Sequence, residues 1–276
     1  MGSRRRVLVT NDDGIHAPGL RALARVAADA GFDVVVAAPD YEASGSSAAL
    51  TAVYRERRLA VTRTDFTDPE VEAYAVAASP GYITMLATIG AFGRRPDLVL
   101  SGVNRGANTG HAVLHSGTVG AALTAANYGI AAMAVSLDVL PSEDGGESLA
   151  EYFGRIDNEA LHWQTAASVA GHFLSIVDKQ AIGTVLNINV PNRAEAALAG
   201  VKQATLAAFG HVQMAVAEAG EGYLRTTVER TSDRMQPGTD VALLAQGYAT
   251  ATVLATVRAE EAPLDLDPVL RSLRTS

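Results

Sequence analysis

Short apolar runs rich in Val, Ile and Leu alternate along the first two thirds of this chain with stretches in which apolar residues recur every three or four positions. Such runs predict buried strands, and the periodic stretches predict helices. The predicted strands start at Val7 and cover residues 32–38, 98–101, 131–136 and 185–190. The predicted helices follow Pro18-Gly19 and cover residues 80–91, the Ala-rich stretch after Thr118, and 160–177. Strand and helix in alternation predict an α/β fold with a mostly parallel sheet.

Two parts of the chain depart from this alternation. Residues 58–62 and 71–77 resemble strands, and their spacing favours a hairpin rather than another strand–helix unit. After residue 195, residues 203–209, 223–229 and 249–257 also have the pattern of strands. We therefore predict a Rossmann-like α/β core over residues 1–195 and a β-rich C-terminal extension over 196–276, suited to subunit contacts and not an independent domain. Less regular segments are predicted to be a solvated loop at 141–146, a linker at 233–240 and a terminal helix at 267–274.

The composition narrows the classes of function. The 276 residues include 30 acidic and 22 basic side chains, a net charge of −8, which argues against binding nucleic acid or a membrane surface. The chain has no cysteine, so disulfides, thiolate metal sites and cysteine nucleophiles are excluded. With no signal-type segment and no apolar run long enough to cross a bilayer, the expected location is the cytoplasm.

Two adjacent carboxylates, Asp12 and Asp13, follow the first predicted strand. Two unit charges about 4 Å apart repel by about 1 kcal/mol in water and about 4 kcal/mol near a protein surface. A cation between the two carboxylates would turn this repulsion into a binding site. An Asx-type turn in which Asp13 caps the following helix explains the pattern equally well.

Polar side chains also follow two other predicted strands, with Ser44 after the second and Asn104 to Asn108 after the third. The carboxyl ends of parallel strands lie at one edge of a sheet, so these side chains are expected to converge there with Asp12 and Asp13. Carboxylate, hydroxyl and amide oxygens suit a hard cation such as Mg²⁺ or Mn²⁺. Ser116-Gly117-Thr118 leads into a helix and could bind an anion beside that cation, or could be an ordinary N-cap. A cation beside an anion site suits phosphoryl transfer to water.

Several of these stretches together resemble the SurE family, the stationary-phase survival proteins with 5′/3′-nucleotidase activity. The similarity extends over most of the chain and is most specific up to Ser136. It rests on the stretches Val9-Thr10-Asn11-Asp12-Asp13-Gly14, Ala38-Pro39-Asp40 through Ser44, Ser101-Gly102-Val103-Asn104-Arg105-Gly106-Ala107-Asn108, His115-Ser116-Gly117-Thr118-Val119-Gly120, Leu186-Asn187-Ile188-Asn189-Val190-Pro191 and Gly247-Tyr248.

The resemblance implies a Rossmann-like three-layer core and a divalent-metal-dependent phosphomonoesterase acting on nucleoside monophosphates. It also implies one Mg²⁺ or Mn²⁺ per subunit and a C-terminal extension that takes part in a homodimer or homotetramer. Asp12 or Asp13 would orient the attacking water, while Asn108 and the helix start at Ser116 would stabilise charge on the phosphoryl oxygens. The implied metal ligands are Asp12, Asp13, Ser44 and Asn104, and the implied phosphate contacts are Asn108, Ser116, Gly117 and Thr118.

One position departs from the family pattern. Where the family usually has Gly-Thr-Pro-Ala-Asp-Cys, this chain has Ala78-Ser79-Pro80-Gly81-Tyr82-Ile83. Tyr82 replaces an acidic residue and could form a wall of the substrate pocket, stacking on a base or narrowing the pocket for smaller phosphate esters. Alternatively, it packs inward against the strand predicted at 71–77.

Other residues near the predicted site allow more than one interpretation. His16, His111 and His115 could act as general acids, but a structural or exposed role is more common for such residues. Arg105 could bind a phosphate oxygen or form a surface ion pair. Two rival functions remain: the same phosphatase chemistry on another small phosphate ester, and a nucleotide- or metabolite-binding module without turnover. A dinucleotide-dependent oxidoreductase is disfavoured, since the first turn lacks G-x-G-x-x-G.

Overall fold

The computed structural model describes residues 4–67, 69–139, 156–209, 212–220, 223–230, 236–259, 265–267 and 271. The predicted loop at 141–146 lies outside these residues, as does most of the predicted terminal helix. The strands are β1 (Arg6–Thr10), β2 (Asp33–Pro39), β3 (Tyr54–Arg55), β4 (Arg58–Leu59), β5 (Val61–Arg63), β6 (Glu72–Val76), β7 (Leu98–Arg105), β8 (Ala131–Asp138), β9 (Thr184–Pro191), β10 (Val201–Gln203), β11 (Val212–Gly220), β12 (Tyr223–Arg230) and β13 (Ala249–Ala255). The α-helices are α1 (Pro18–Asp29), α2 (Pro80–Thr88), α3 (Gly117–Asn127), α4 (Trp163–Phe173) and α5 (Asp240–Ala245).

Among the described residues, nine strands form one sheet in the order β10-β13-β9-β8-β7-β1-β2-β6-β5. From β9 to β6 neighbouring strands are parallel, whereas β13 runs antiparallel to β9, and β5 runs antiparallel to β6. The predicted α/β fold with a mostly parallel sheet is confirmed. Strands β11 and β12 pair with each other in a separate two-stranded sheet.

Each face of the large sheet is covered by helices, which gives three layers. Because side chains alternate along a strand, Val7 and Val9 of β1 point to one face and Leu8 to the other. The first face packs against apolar side chains of α1 and α4, and the second against those of α2 and α3. Strands buried on both faces require continuous apolar runs, and such runs allow the central strands to be recognised from the sequence.

The starts and ends of the helices follow local sequence signals. Pro18 and Pro80 occupy the first turns of α1 and α2, where a missing N–H costs nothing. Gly31 follows α1 with φ +85°, a left-handed conformation that glycine adopts without strain. Ser116 caps α3, its Oγ accepting the Val119 N–H at 3.1 Å. The predicted cap at Ser116 is therefore present.

Two parts of the strand prediction and the end of the predicted linker need correction. The segment at 71–77 contains β6, which pairs with β5 as a hairpin but also lies parallel to β2 and leads into α2, so it is a strand–helix unit of the main sheet. The run at 203–209 is not a strand beyond residue 203, and the hairpin strand begins instead at Val212. The predicted linker ends at the first residue of α5.

The predicted boundary at residue 195 does not coincide with an edge of the large sheet. Strands β10 and β13 lie beyond this residue in sequence, yet they extend the sheet next to β9.

In the described part of the chain, no helix has both the length and the apolar character needed to cross a membrane.

A buried arginine at the amino end of β1 forms ion pairs and hydrogen bonds with residues of neighbouring segments. Arg6 is 8% exposed, and its guanidinium contacts Asp33 at 2.8 Å and Glu72 at 3.4 Å. Its backbone N–H donates to Asp97 at 2.7 Å. Burial opposes ionisation of Asp97, but hydrogen bonds from Arg6 and Arg94 outweigh it and lower the pKa of Asp97. This end of the sheet therefore has its charges paired.

Candidate active site

The loops after β1, β2 and β7 meet at the carboxyl edge of the sheet, as the sequence predicts for neighbouring parallel strands. The backbone N–H of Ala43 donates to the Asp12 carbonyl at 2.7 Å, joining the loop after β2 to the loop after β1. The backbone N–H of Arg105 donates to Asp13 Oδ2 at 3.2 Å, joining the end of β7 to the same loop. Hydrogen bonds therefore link the loop with Asp12 and Asp13 both to the loop with Ser44 and to the end of β7, where Asn104 lies.

Asp12 is held by the start of α3. This carboxylate is 4% exposed; its Oδ2 accepts the Thr118 N–H at 3.1 Å, and its Oδ1 accepts the Thr118 hydroxyl. Burial raises the pKa of Asp12, and these hydrogen bonds oppose the increase. The positive end of the α3 dipole also favours a negative charge here. Thr118, predicted as a phosphate contact, is thus a direct partner of Asp12.

Asp13 has a strongly raised pKa. Burial and the neighbouring Asp12 raise its pKa to about 7, while the Arg105 N–H and charge partly oppose this shift. Glu42 contributes a further small increase in the pKa of Asp13. One Asp13 oxygen accepts the Arg105 N–H, and the other accepts no hydrogen bond from the residues described.

Gly117 allows the close approach of α3 to Asp12. A Cβ atom added to Gly117 would lie 2.8 Å from Asp12 Oδ2 and 2.5 Å from the hydroxyl oxygen of Ser46. Both distances are shorter than a carbon atom tolerates, so this position requires glycine. The Ser46 hydroxyl is buried and has no hydrogen-bond partner within the described parts of the chain. The sequence pattern did not indicate Ser46. Its hydroxyl is a buried polar group beside Asp12 that can still form a hydrogen bond with a ligand.

Asn104 and Ser44 contribute neutral oxygens. Asn104 Nδ2 donates to the Gly106 carbonyl at 2.7 Å, which orients the side chain and leaves its Oδ1 as an acceptor. Ser44 is exposed, and its hydroxyl donates to Glu42 Oε1 at 3.0 Å. Its oxygen still has lone pairs, because a hydroxyl that donates one bond can also accept.

This donor set fits a hard divalent cation. Two adjacent carboxylates with raised pKa values are destabilised as anions, and a cation would relieve that destabilisation. No cluster of three or more His, Cys, Asp or Glu side chains that could hold a metal occurs among the residues the structure describes. A metal here would thus be bound by two carboxylates together with hydroxyl and amide oxygens, the preference of Mg²⁺ and Mn²⁺ rather than of zinc.

Asn108 is held by two buried asparagines of β9 that sequence reasoning did not assign to the site. Asn189 Oδ1 accepts the Asn108 N–H at 2.7 Å, and the Nδ2 atoms of Asn187 and Asn189 each donate to the Asn108 carbonyl at 2.9 Å. The Asn108 side chain donates to Ser136 Oγ at 2.8 Å. Two asparagines two residues apart in an otherwise apolar strand were the available signal, because buried amides require partners.

The remaining candidates lie at the rim of this edge. His16, His111 and His115 are exposed, in agreement with the structural or exposed interpretation. The Arg105 guanidinium donates to Asn158 Oδ1 at 3.3 Å.

Tyr82 lies in the first turn of α2 and is half-buried, with its hydroxyl against that of Tyr54 in the β3–β4 hairpin. The preceding residue, Gly81, lies close to the backbone of Ala48 and Ala49 in the loop that follows Ser44. Tyr82 thus packs next to the loop that carries Ser44, with its hydroxyl against Tyr54, and it also packs against the apolar cluster that includes Val76 of the strand predicted at 71–77.

Fold and site together define a class: a Rossmann-like, three-layer α/β protein with an acidic pair at the carboxyl edge of its sheet, held by the start of a helix. The family model for "Survival protein SurE" matches residues 7–213. The chain belongs to the SurE family.

Individual relatives agree with this assignment. A "5'-nucleotidase SurE" from Natranaerobius thermophilus is 34% identical over 256 residues, covering 90% of this chain and 91% of the relative. A "5'-nucleotidase SurE" from Symbiobacterium thermophilum is 39% identical over 199 residues, covering 71% of this chain and 70% of the relative. The crystal structure of the SurE protein from Aquifex aeolicus aligns with a TM-score of 0.71 at 25% identity, covering 98% of both chains.

Proposed function

We propose that this chain is a divalent-metal-dependent phosphomonoesterase that hydrolyses nucleoside 5′- or 3′-monophosphates to nucleoside and phosphate. The observation that carries the proposal is the pairing of Asp12 with Asp13 at the edge where Asn104 also lies. The names of the relatives, "5'-nucleotidase SurE", support a nucleoside monophosphate as the substrate.

The proposed metal ligands are Asp12, Asp13, Ser44 and Asn104, holding one Mg²⁺ or Mn²⁺ per subunit. When bound, such an ion polarises a phosphoryl oxygen and lowers the pKa of a bound water. The buried Ser46 hydroxyl lies beside the same oxygens and is an additional candidate to hydrogen-bond the ion's water shell or the phosphate.

The chain's own residues have separable roles in this proposal. Thr118 fixes both oxygens of Asp12, so the Asp12 carboxylate is oriented before substrate arrives. Asp13 has an oxygen without a described partner and is therefore better placed than Asp12 to accept a hydrogen bond from the attacking water. The amino end of α3, with Ser116 and Gly117, and the nearby Asn108 would favour the negative charge of the phosphoryl oxygens.

We also propose that the C-terminal extension takes part in a homodimer or homotetramer. Its β11–β12 hairpin pairs within itself and not with the large sheet, so its backbone edges are candidates for contacts with another subunit.

The test measures phosphate release from a panel of nucleoside 5′- and 3′-monophosphates and small phosphate esters, with EDTA, Mg²⁺ or Mn²⁺. Hydrolysis of nucleotides that requires the metal is the expected result. Asp12→Asn should abolish it, whereas Asp29→Asn, which changes an exposed carboxylate at the end of α1, should leave it intact.

Other outcomes are equally informative. Hydrolysis in EDTA equal to that with metal would refute the metal dependence. Turnover of small esters but not of nucleotides would support the alternative substrate class. Binding of nucleotide without any turnover would identify a binding module.

A further inference from the structure

The segment between β7 and α3 carries part of the proposed phosphate site. It carries Asn108 and, at its end, Ser116, and includes a 3-10 turn at Gly110–His115. The two asparagines of β9 hold it at Asn108. A second attachment lies two residues further on, at Gly110, and comes from the C-terminal part of the chain.

That second attachment is Asp240, a carboxylate that is 0% exposed. Its Oδ2 accepts the Gly110 N–H at 2.8 Å, across 130 positions of sequence. Its Oδ1 accepts the N–H groups of Ala207 at 3.0 Å and Val241 at 2.9 Å. One buried side chain therefore joins the loop after β10, the start of α5 and the start of the 3-10 turn that leads to Ser116.

Capping of α5 does not account for Asp240. The N-cap of this helix is Thr239, whose hydroxyl oxygen accepts the Ala242 N–H. A buried carboxylate is costly to desolvate, and here both of its oxygens are used on backbone N–H groups of separate segments. The bond to Gly110 fixes a residue with φ +55°, at which the chain turns towards Ser116.

We propose that Asp240 is a positioning residue of the active site, which holds Gly110 and through it the Asn108–Ser116 segment in the geometry that binds the phosphate group. This inference rests on the proposed function. It gives the C-terminal extension a direct part in forming the site within one chain, in addition to any contact between subunits.

The test compares Asp240→Asn with Thr239→Ala. Asparagine keeps the size of the side chain but replaces one acceptor oxygen by an NH₂ donor, which cannot accept from a backbone N–H. Because the loop would bind phosphate in ground and transition states alike, KM for a nucleoside monophosphate and Ki for inorganic phosphate should rise about tenfold, as loss of one positioning hydrogen bond suggests. The Kd for Mn²⁺, measured by calorimetry, should stay unchanged, because the metal ligands contact other groups.

Thr239→Ala is the matched control. It removes the cap of the same helix and should lower Tm, but it leaves the bond between Asp240 and Gly110 intact, so KM and Ki should not change. Asp240→Glu is the second variant: it keeps the charge but places the carboxylate one methylene further out, and should raise Ki for phosphate by a smaller factor.

An unchanged Ki in either folded Asp240 variant would overturn the proposal, and so would an equal rise in Thr239→Ala. A rise in Ki together with an equal weakening of Mn²⁺ binding would indicate general loosening of the site and would also overturn it. A wild-type protein without phosphatase activity would contradict the proposed function, a result that is seen before any variant is made.

Discussion

Replacing Asp13 by asparagine should stabilise the metal-free protein at alkaline pH. The pKa of this carboxyl is about 7 instead of 3.8, so the folded state keeps a proton that the unfolded state has lost between these two pH values. Stability contributed by this proton is present below pH 3.8 and is lost as the pH rises through about 7. Above that pH, the folded protein has to hold an ionised Asp13 beside Asp12.

The size of the effect follows from the two pKa values. Their difference corresponds to roughly 4 kcal/mol, at about 1.36 kcal/mol per pKa unit. This is an upper bound for the free energy of unfolding that Asp13→Asn restores, since Asp13 is partly exposed to water. For a chain of this size, 1 kcal/mol shifts Tm by about 2–4 °C, so the increase at pH 8 should be at most about 8–16 °C. The asparagine oxygen can still accept the Arg105 N–H, so the loop should keep its shape.

The assay is thermal unfolding of wild type and Asp13→Asn in EDTA at pH 5, 6, 7 and 8. The Tm difference should be smallest at pH 5 and should grow until the pH reaches about 7, because the proton-linked stability is lost progressively between pH 3.8 and about 7. Saturating Mn²⁺ should raise Tm of the wild type at pH 8 and have a much smaller effect on the variant, which has lost a ligand. A Tm difference that is the same at every pH, or a variant less stable than wild type at pH 8, would refute this account of the site's electrostatics.

Three further predictions concern the walls of the site and the sheet. Gly117→Ala should displace Asp12, lower the free energy of unfolding by about 1–3 kcal/mol and remove most phosphatase activity. The control is Gly129→Ala, in open space just after the same helix, which should lower Tm but keep activity. Tyr82→Ala should change KM more than kcat and alter the ranking of nucleotides and small esters in the phosphate-release assay; an unchanged ranking would remove Tyr82 from the substrate wall. Truncation after Asn192 removes β10 and β13 and exposes one side of β9, so the product should be insoluble in a sedimentation assay; a soluble, active monomer would contradict this.

The sequence predicts the centre of the sheet well and its flanks poorly, for physical reasons. Strands such as β1 and β8 are buried on both faces and read as continuous apolar runs bounded by glycine, proline or polar turns. The flanks contain short elements, such as the three-residue β10 and the six-residue α5, which have too few residues to establish a period. The placement of β13 beside β9 depends on pairing between distant segments, which local patterning does not encode.

In the candidate site, too, local sequence predicts some features, whereas others depend on contacts between distant segments. Asp12 and Asp13 follow β1, and Asn104 lies at the end of the neighbouring β7, so strand neighbourhood is enough to bring them together. The contact of Thr118 with Asp12 joins residues 106 positions apart and could not be inferred from spacing. Whether Ser44 and Asn104 bind a metal remains a prediction of the sequence, which the donor chemistry of the site supports.

The ion network around Arg6 has a consequence for how β1 serves both folding and chemistry. This five-residue strand ends on one side in a guanidinium shared by acidic neighbours, and continues on the other into two carboxylates that repel each other. The charges at the first end are paired, whereas the like charges at the second end are locally frustrated, because their mutual repulsion is not relieved by the fold. The ion pairs of Arg6 fix the register of β1 against its neighbours, so the opposing charges cannot relax by a slip of the strand. The repulsion can then be relieved by a proton on Asp13, or by the cation proposed above, whose binding would gain the free energy that the repulsion costs.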